Sequence, residues 1–427
     1  MTPAARLGLR ENLGQFSLLV AINAFVGAMV GLERSTLPLV GHDSFGVTSA
    51  AAVLSFVVAF GIAKSLTNLA AGALADRLGR RRLLILGWLA ALPVPLMIAV
   101  APSWGWIVAA NLLLGLNQGL TWSMTVVMKI DLVGPRRRGL ALGLNESAGY
   151  GGVAIAAATT GWLASEFAAR DVLVVAGAVI ALLALVASIL FVRDTGAHVA
   201  EEQRQADHGD TAAPLTLRAA FAEATFRRPA LRACSQAGLF NNLNDALAWG
   251  LVPLFLAAHG AGPGRIGLVA GIYPGVWAVT QIWTGHLSDR VGRKPLIVAG
   301  MLLQAAGLVV LAASNGAFGA ALVAAVVVGL GTALVYPTLI AAISDVVAPV
   351  ERATAIGVYR FWRDMGYVAG GLVAGLAADA IGYGGAIAAV AGLTAASGLW
   401  VAFDLPSRAG PRELPDVREE WMVDAAA

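Results

Sequence analysis

GALADRLGRRR, residues 72–82, lies between two long apolar runs, and GHLSDRVGRKP, residues 285–295, lies between two more. Gly, Asp-Arg, Gly and a basic pair recur in the same order. In the first copy these are Gly72, Asp76, Arg77, Gly79 and Arg80; in the second, Gly285, Asp289, Arg290, Gly292 and Arg293. Gly79 permits a tight turn, and Asp76 precedes Arg80 by four residues, a pairing distance on a helix. A basic stop-transfer loop would account for the arginines alone. It would not place an Asp and a Gly at the same positions twice.

A second pair of segments repeats in the same way. DLVGPRRRGLALG at 131–143 matches DVVAPVERATAIG at 345–357, sharing Asp131/Asp345, Pro135/Pro349, Arg138/Arg352 and Gly143/Gly357. Working outward, apolar stretches long enough to span a bilayer, about 20 residues each, fall at 16–39, 47–71, 83–101, 105–128, 139–164 and 172–192. Six more fall at 235–257, 265–285, 296–314, 317–341, 353–377 and 382–403. The spacing therefore predicts an all-α membrane protein of twelve transmembrane helices in two pseudo-symmetric six-helix bundles. Its divisions are an amino-terminal bundle over 1–193, a cytoplasmic linker over 194–228, a carboxy-terminal bundle over 229–404 and a cytoplasmic tail over 405–427. The linker stretch LTLRAAFAEATFRRP reads as a short amphipathic helix on the inner surface, or as a flexible tether.

Composition agrees. Hydrophobic residues make up 58% of the 427 and charged ones 13%, against about a quarter charged in soluble domains, and mean hydropathy is +0.75. The 50 glycines suit close helix packing in lipid. A single cysteine, Cys234, excludes an internal disulfide. The first apolar run lacks a cleavage site and reads as a retained span.

The net charge of +3 could suggest nucleic acid. Its placement argues otherwise. Arg6, Arg10, Arg77, Arg80, Arg81, Arg82, Arg136, Arg137, Arg138, Arg290, Arg293, Lys294 and Arg352 fall on one side of the predicted spans, and only Arg170 and Arg265 on the other. Positive loops stay inside, so both termini are expected in the cytoplasm and the protein in the inner membrane. Trp104, Trp106 and Trp162 fall at predicted outer ends, where an aromatic belt is expected.

On these residues the chain resembles the major facilitator superfamily: both loops match that family's inner-loop signature, and the likeness runs from the first span to the twelfth. The resemblance implies a cavity lined by spans 1, 4, 7 and 10 and a seam of spans 2, 5, 8 and 11. It implies that Asp76 and Asp289 latch their loops against the opposite bundle. VRDTG after the sixth span resembles the family's acidic end-of-helix motif. Two motifs of the family's drug:proton antiporters are absent. Gly115 stands three residues before Gln118–Gly119 where those carry Arg, and GLNESAGYGGVAIAAATTG in the fifth span has no proline.

Charge in a bilayer is costly, so each intramembrane charge marks a candidate site. Asn241, Asn244, Asp245 and Trp249 share one face of the seventh span. Asp245 lies about 21 Å from the inner end, past the midplane, and is a candidate proton carrier with Glu33 and Glu146. GLERSTLPL around Glu33 resembles the acid-bearing end of the first helix in proton-coupled relatives, and residue count puts it near the outer interface. Candidate cavity residues are Asn23, Asn111, Gln118, Trp122, Asn241, Trp249, Tyr273, Trp277, Gln281, Tyr336 and Arg363. Lys64, Glu146 and Arg360 each lie about 12 Å from their inner ends, and with Asp364 they form a candidate inner gate. Arg360 could pair with Asp364 on the same helix, leaving Arg363 for an anionic substrate group.

No nucleophile–base pair, phosphate loop or metal-ligand spacing is found; His42, His198, His208, His259 and His286 sit in loops or at helix ends. No cofactor is expected, and a membrane enzyme is not supported. The expected function is alternating-access transport of a small organic solute by a monomer, proton-coupled, with export favoured by the overall resemblance. A uniporter, an uptake carrier for an organic anion, or a transport-dead sensor are the competing readings.

Overall fold

The computed structural model describes residues 6–134, 138–205, 216–347 and 351–406. Pro135, Arg136, Arg137, His208, Pro349 and the tail from 407 lie outside the described residues. So do the side chains of Asp76, Arg138 and His286 and the surroundings of Gly285.

The apolar runs become helices because nothing else satisfies every backbone N–H and C=O within one segment in lipid. The first bundle is α1 (Leu13–Phe45), α2 (Ala50–Val53) with α3 (Ser55–Leu78), α4 (Arg80–Ala91) with α5 (Pro93–Val100), α6 (Trp104–Val133), α7 (Arg138–Leu163) and α8 (Ala169–Leu190). The third span breaks ahead of Pro93, which has no N–H to continue the ladder. The linker holds α9 (Gly196–Gln205), α10 (Leu217–Ala222) and a π-turn over Glu223–Arg227. The second bundle is α11 (Pro229–Ala258), α12 (Pro263–Val291), α13 (Arg293–Ala313), α14 (Phe318–Val346) and α15 (Arg352–Asp404). α15 holds the eleventh and twelfth spans, divided at Gly382, whose φ of 76° and ψ of 168° are not helical.

Among the described residues, eight helices are long and apolar enough to cross a membrane, with α15 counted once. α6, α7 and α11 have the length but fall outside that set. They are the helices diluted by Asn111, Asn117 and Gln118, by Asn145 and Glu146, and by Asn241, Asn242, Asn244 and Asp245. Outward faces are apolar instead: Phe403 is 85% and Ile155 71% exposed, as lipid-facing side chains are and those of a soluble core are not.

The matched glycines of the two loops do the same work. Gly79 (φ 87°) turns α3 into α4, and Gly292 (φ 100°) turns α12 into α13, backbone that L side chains rarely adopt. Beside them Arg80 reaches Asp131 at 3.3 Å, and Arg293 reaches Asp345 at 2.9 Å. Asp289 pairs with Arg293 at 2.6 Å, the predicted four-residue spacing. These ties hold each loop to its own bundle. Arg293, a turn away, is thus one partner of the Asp289 carboxylate. Asp194 of VRDTG receives the Arg81 backbone N–H at 3.0 Å at the start of α4, and Thr195 donates to Asp131 at 2.5 Å.

Between bundles, α7 packs on α12, α3 on α15 and α1 on α11, the seam that the resemblance implied, with α1 and α11 added. A Cβ placed on Gly161 would come within 2.5 Å of the Gly267 Cα, so α7 and α12 approach to backbone contact. At the end away from the arginines, Asp379 of α15 accepts from Ser49 Oγ (2.6 Å) and from the N–H groups of Ala50 (2.6 Å) and Ala51 (3.2 Å). It caps α2 across the seam. Trp104, expected in an interfacial belt, is buried under this end. Its indole donates to Ala52 O at 2.9 Å, while Trp106 and Trp162 are exposed. The linker's α10 turns its aromatic residue to protein rather than lipid. Phe221 packs on Phe361 at 5.2 Å, and the Trp362 indole donates to Thr225 at 3.1 Å.

Candidate functional site

The buried charges gather where α1, α3, α7, α11 and α15 meet. Arg34 of α1 crosses to Asp245 of α11 with both fork nitrogens, Nη1 to Oδ1 at 2.6 Å and Nη2 to Oδ2 at 2.7 Å. The side chains are 2% and 1% exposed. Tyr367 of α15 donates to Asp245 Oδ2 at 2.6 Å, and the guanidinium lies 5.4 Å from the Trp249 ring. Pro38 and Pro253, four residues on from Arg34 and Trp249, each remove one backbone bond beside the pair. A bidentate, doubly buried pair supplies the charge-assisted bonds that offset desolvation.

A second tie crosses from α3 to α15. Lys64 Nζ lies 3.5 Å from Asp364 Oδ1, and Asn68 donates to Oδ2 of the same carboxylate. Lys64 also sits 5.2–5.6 Å from the rings of Phe60, Trp122 and Tyr367. Arg363 reaches Asp364 at 3.4 Å, meets no other carboxylate among the described residues, donates to Tyr150 OH of α7 at 2.7 Å and lies 4.3 Å over Tyr336. Arg363 is thus not left over as the sequence reading expected. Arg360, half-buried one turn earlier, makes no ion pair among the described residues. Asp364 turns its oxygens to Lys64, Asn68 and Arg363 instead.

Aromatic rings bridge the bundles beside these ties. Tyr150 stacks on Trp277 of α12 at 3.4 Å, with Trp122, Tyr336 and Tyr273 within 6.4 Å of one or the other. Gln281 reaches Ser147 across the seam at 3.5 Å.

Other candidates serve packing within one bundle. Asn244 and Asn241 bracket Gln304 at 2.8 and 3.0 Å, and Thr394 donates to Asn244 at 2.8 Å. Of the polar face predicted on the seventh span, Asp245 and Trp249 reach across the seam, Trp249 meeting Phe56 and Phe60 of α3 at 5.5 and 4.9 Å. In the first bundle Asn23 donates to Asn145 O (2.6 Å) and accepts from Thr125 (2.8 Å), and Gln118 donates to Val26 O (2.7 Å). Glu146 accepts from the Trp122 indole at 3.0 Å. Glu33 is 2% exposed and bonded to Asn111. Being inside the first bundle, it does not sit at a solvent interface as its distance along the helix suggested.

Sequence reading passed over Lys129, which is fully buried with its amine on Leu19 O at 3.1 Å. It lies four residues before Val133, the last residue of α6, where a lone Lys is indistinguishable in sequence from a snorkelling cation. Tyr367 and Gln304 were not among the candidate site residues. Tyr and Gln on an apolar helix give no signal of their own until a charged or amide partner is placed opposite.

The Major Facilitator Superfamily model matches residues 13–241 and 234–423. An uncharacterised MFS-type transporter of Salmonella typhimurium is 28% identical over 338 residues, 75% of this chain and 79% of that protein. The inner membrane transport protein YajR of Escherichia coli is 40% identical over 101 residues, 24% of this chain and 22% of its own. Multidrug resistance protein MdtH of Aeromonas salmonicida is 30% identical over 119 residues, 28% of this chain and 30% of its own. A crystal structure of a point mutant of the nucleoside transporter NupG superposes with a TM-score of 0.72 at 16% identity, covering 91% of this chain and 99% of that one. At that identity the likeness is one of fold.

Proposed function

Because the chain belongs to the major facilitator superfamily, we propose that it is a proton-coupled secondary transporter, carrying a small organic solute across the cytoplasmic membrane by alternating access. The arginine-bearing loops and both termini face the cytoplasm in this reading, and a monomer does the work.

The observation that carries it is the Arg34–Asp245 pair joining the bundles at 2.6 Å. Removing one charge from a buried pair leaves the other uncompensated, at a cost of about 3–5 kcal/mol. A proton on Asp245 does that chemically. It loosens the bundles where they must part, so proton binding biases a two-state element. Glu33 and Glu146, each buried with one carboxylate oxygen lacking a partner, are further stations for a proton. Lys64 and Asp364 form a second tie that breaks and re-forms as the bundles rock.

Reconstitution into vesicles with an imposed pH gradient tests the coupling. Wild type accumulates solute, whereas Asp245→Asn keeps exchange and loses gradient-driven accumulation about tenfold or more. Equal accumulation by Asp245→Asn would clear Asp245 of the coupling, and exchange without accumulation in the wild type would leave a uniporter. Absence of any flux would leave a sensor.

Export is favoured by the multidrug-resistance name carried by MdtH, over the 28% of this chain that matches it. A second reading, uptake of an organic anion, is favoured by Arg363, whose partners besides the shared Asp364 are the neutral rings of Tyr150 and Tyr336.

A further inference from the structure

α7 and α12 meet across the seam in two different ways along their length. Toward the end away from the arginines they touch backbone to backbone. A Cβ on Gly161 would come within 2.5 Å of the Gly267 Cα, and one on Gly271 within 2.7 Å of Ala154 O. Toward the basic end, side chains stand between them. Tyr150 of α7 and Trp277 of α12 lie face over face, their ring centroids 3.4 Å apart and their planes inclined by 31°. Aromatic pairs usually rest with centroids about 4.5–7 Å apart. One turn further, Gln281 faces Ser147 at 3.5 Å, the outer limit of a hydrogen bond. Each ring of the stack is carried by a different bundle, so movement between the bundles changes the distance between the two faces.

Each ring is also backed within its own bundle. Trp122 of α6 lies 5.3 Å from Tyr150, its indole held by Glu146 at 3.0 Å, and Tyr336 of α14 lies 5.5 Å from Trp277. Arg363 of α15 borders the stack, donating to Tyr150 OH at 2.7 Å and lying 4.3 Å over Tyr336. Two donors on these residues, Trp277 Nε1 and Arg363 Nε, are buried with no acceptor among the described residues.

We propose that the Tyr150–Trp277 stack is the closed form of a slot for a flat ring, and that the solute is a planar aromatic or heteroaromatic molecule with a hydrogen-bond acceptor on its rim. The proposal rests on the transport reading above and gives that transporter its substrate class. Admitting the ring needs one more ring thickness, about 3.5 Å. Tyr150 and Gly161 are eleven residues apart, about 16 Å along α7. With the glycine contact as pivot, a splay of about 12° opens the slot while the backbones stay in touch. That is within the range of the rigid-body rotations by which bundles and subunits move. Splaying without a solute parts two stacked faces and leaves both uncovered. An inserted ring replaces one stack by two, so the solute binds the splayed state in preference to the closed one, as a ligand must to shift a two-state element. Its rim acceptor meets the donors that the closed stack leaves unmatched. A saturated ring of the same outline is puckered, thicker than the slot, and has no π-face to offer.

The test is thermal melting of the full-length wild-type protein in detergent with matched flat and puckered probes. The pairs are benzoate against cyclohexanecarboxylate and benzamide against cyclohexanecarboxamide, with aniline as a flat ring whose rim group donates. Benzoate and benzamide raise the midpoint saturably, their saturated counterparts bind at least tenfold more weakly, and aniline binds more weakly than benzamide. Trp277→Phe keeps a face and keeps benzamide, whereas Trp277→Leu and Tyr150→Leu each weaken it about tenfold. Arg363→Gln erases the advantage of benzamide over aniline. The comparison of flat with puckered probes is made on the wild type and stands whether or not a variant folds. Equal stabilisation by the two members of each pair, or wild-type benzamide binding in a cooperatively melting Trp277→Leu, overturns the proposal. Vesicles that accumulate saturated solutes and leave aromatic ones behind also overturn it, with the transport reading standing. Vesicles that pass no solute, while benzamide still binds through Trp277, overturn the transport reading and keep the slot.

Discussion

Lys64 and Asp364 come from helices in different bundles and meet at 3.5 Å, both buried. Turning Lys64 into Asp sets two carboxylates against each other, and turning Asp364 into Lys adds a third cation beside Lys64 and Arg363. Either single change leaves a buried charge uncompensated, so transport falls at least tenfold in each. Lys64→Asp with Asp364→Lys restores the attraction and recovers part of the flux. The recovery is partial because the new Lys lies next to Arg363, which bonds Asp364 at 3.4 Å. A double variant as inactive as the singles, with wild-type amounts in the membrane, would show that the pair does not gate. The identities of such residues were readable from sequence because an intramembrane charge stands out against its helix. Their partners were not. Arg34 lies beside Glu33 in the chain, and spacing along one helix cannot say that it crosses a seam to Asp245. Nor can it say that Asn241 and Asn244 turn to Gln304 while Asp245, one residue on, turns away from them.

Elements were legible where a local rule dictates them and less so where packing decides. Gly79 and Gly292 were recognisable as turns because φ near 90° needs a residue without Cβ, and both turns are present. The eleventh and twelfth spans were separable at Gly382 although the helix runs almost unbroken through it. Linker helix α9 was not legible, because GAHVAEEQRQ is polar and its anchor is tertiary: His198 lies against Asn12 at 3.2 Å. Partial burial holds the His198 imidazole below its ordinary value of 6.5. The undocked helix therefore binds a proton more readily than the docked one. Docking is complete above about pH 6.5 and weakens as pH falls through that value. Hydrogen exchange of α9 is expected to quicken as pH falls from about 7.5 to 5.5 after correction for intrinsic rates, and His198→Asn abolishes that dependence. A slope unchanged by the substitution would assign the effect to another group.

At the scale of the whole molecule, the two ends of the seam are tied differently. At the basic end each arginine loop is tied to its own bundle, by Arg80–Asp131 in one and Arg293–Asp345 in the other. At the far end Asp379 of the second bundle holds three donors of the first, and backbone contacts such as Gly161 against Gly267 close the gap. The far end of the seam is therefore closed by direct ties between the bundles. The twofold plan was legible because two loops repeat, but this asymmetry was not. Asp379 lies at a helix end where an acid is unremarkable, and its partners are backbone groups that no side-chain pattern reveals. Asp379→Ala removes all three bonds and is expected to shift the population toward a state open at the far end. The only cysteine, Cys234, is buried and can be replaced by Ala to leave no background thiol. Leu54, fully buried where Gly250 and Gly371 close over it, then serves as a reporter in Leu54→Cys. Its labelling by a membrane-impermeant maleimide should quicken about tenfold when Asp379→Ala is added, since charge-assisted bonds are among the stronger ones in a fold. A rate that does not change would mean that the glycine contacts alone keep this end closed, and that Asp379 caps α2 without taking part in the rocking of the bundles.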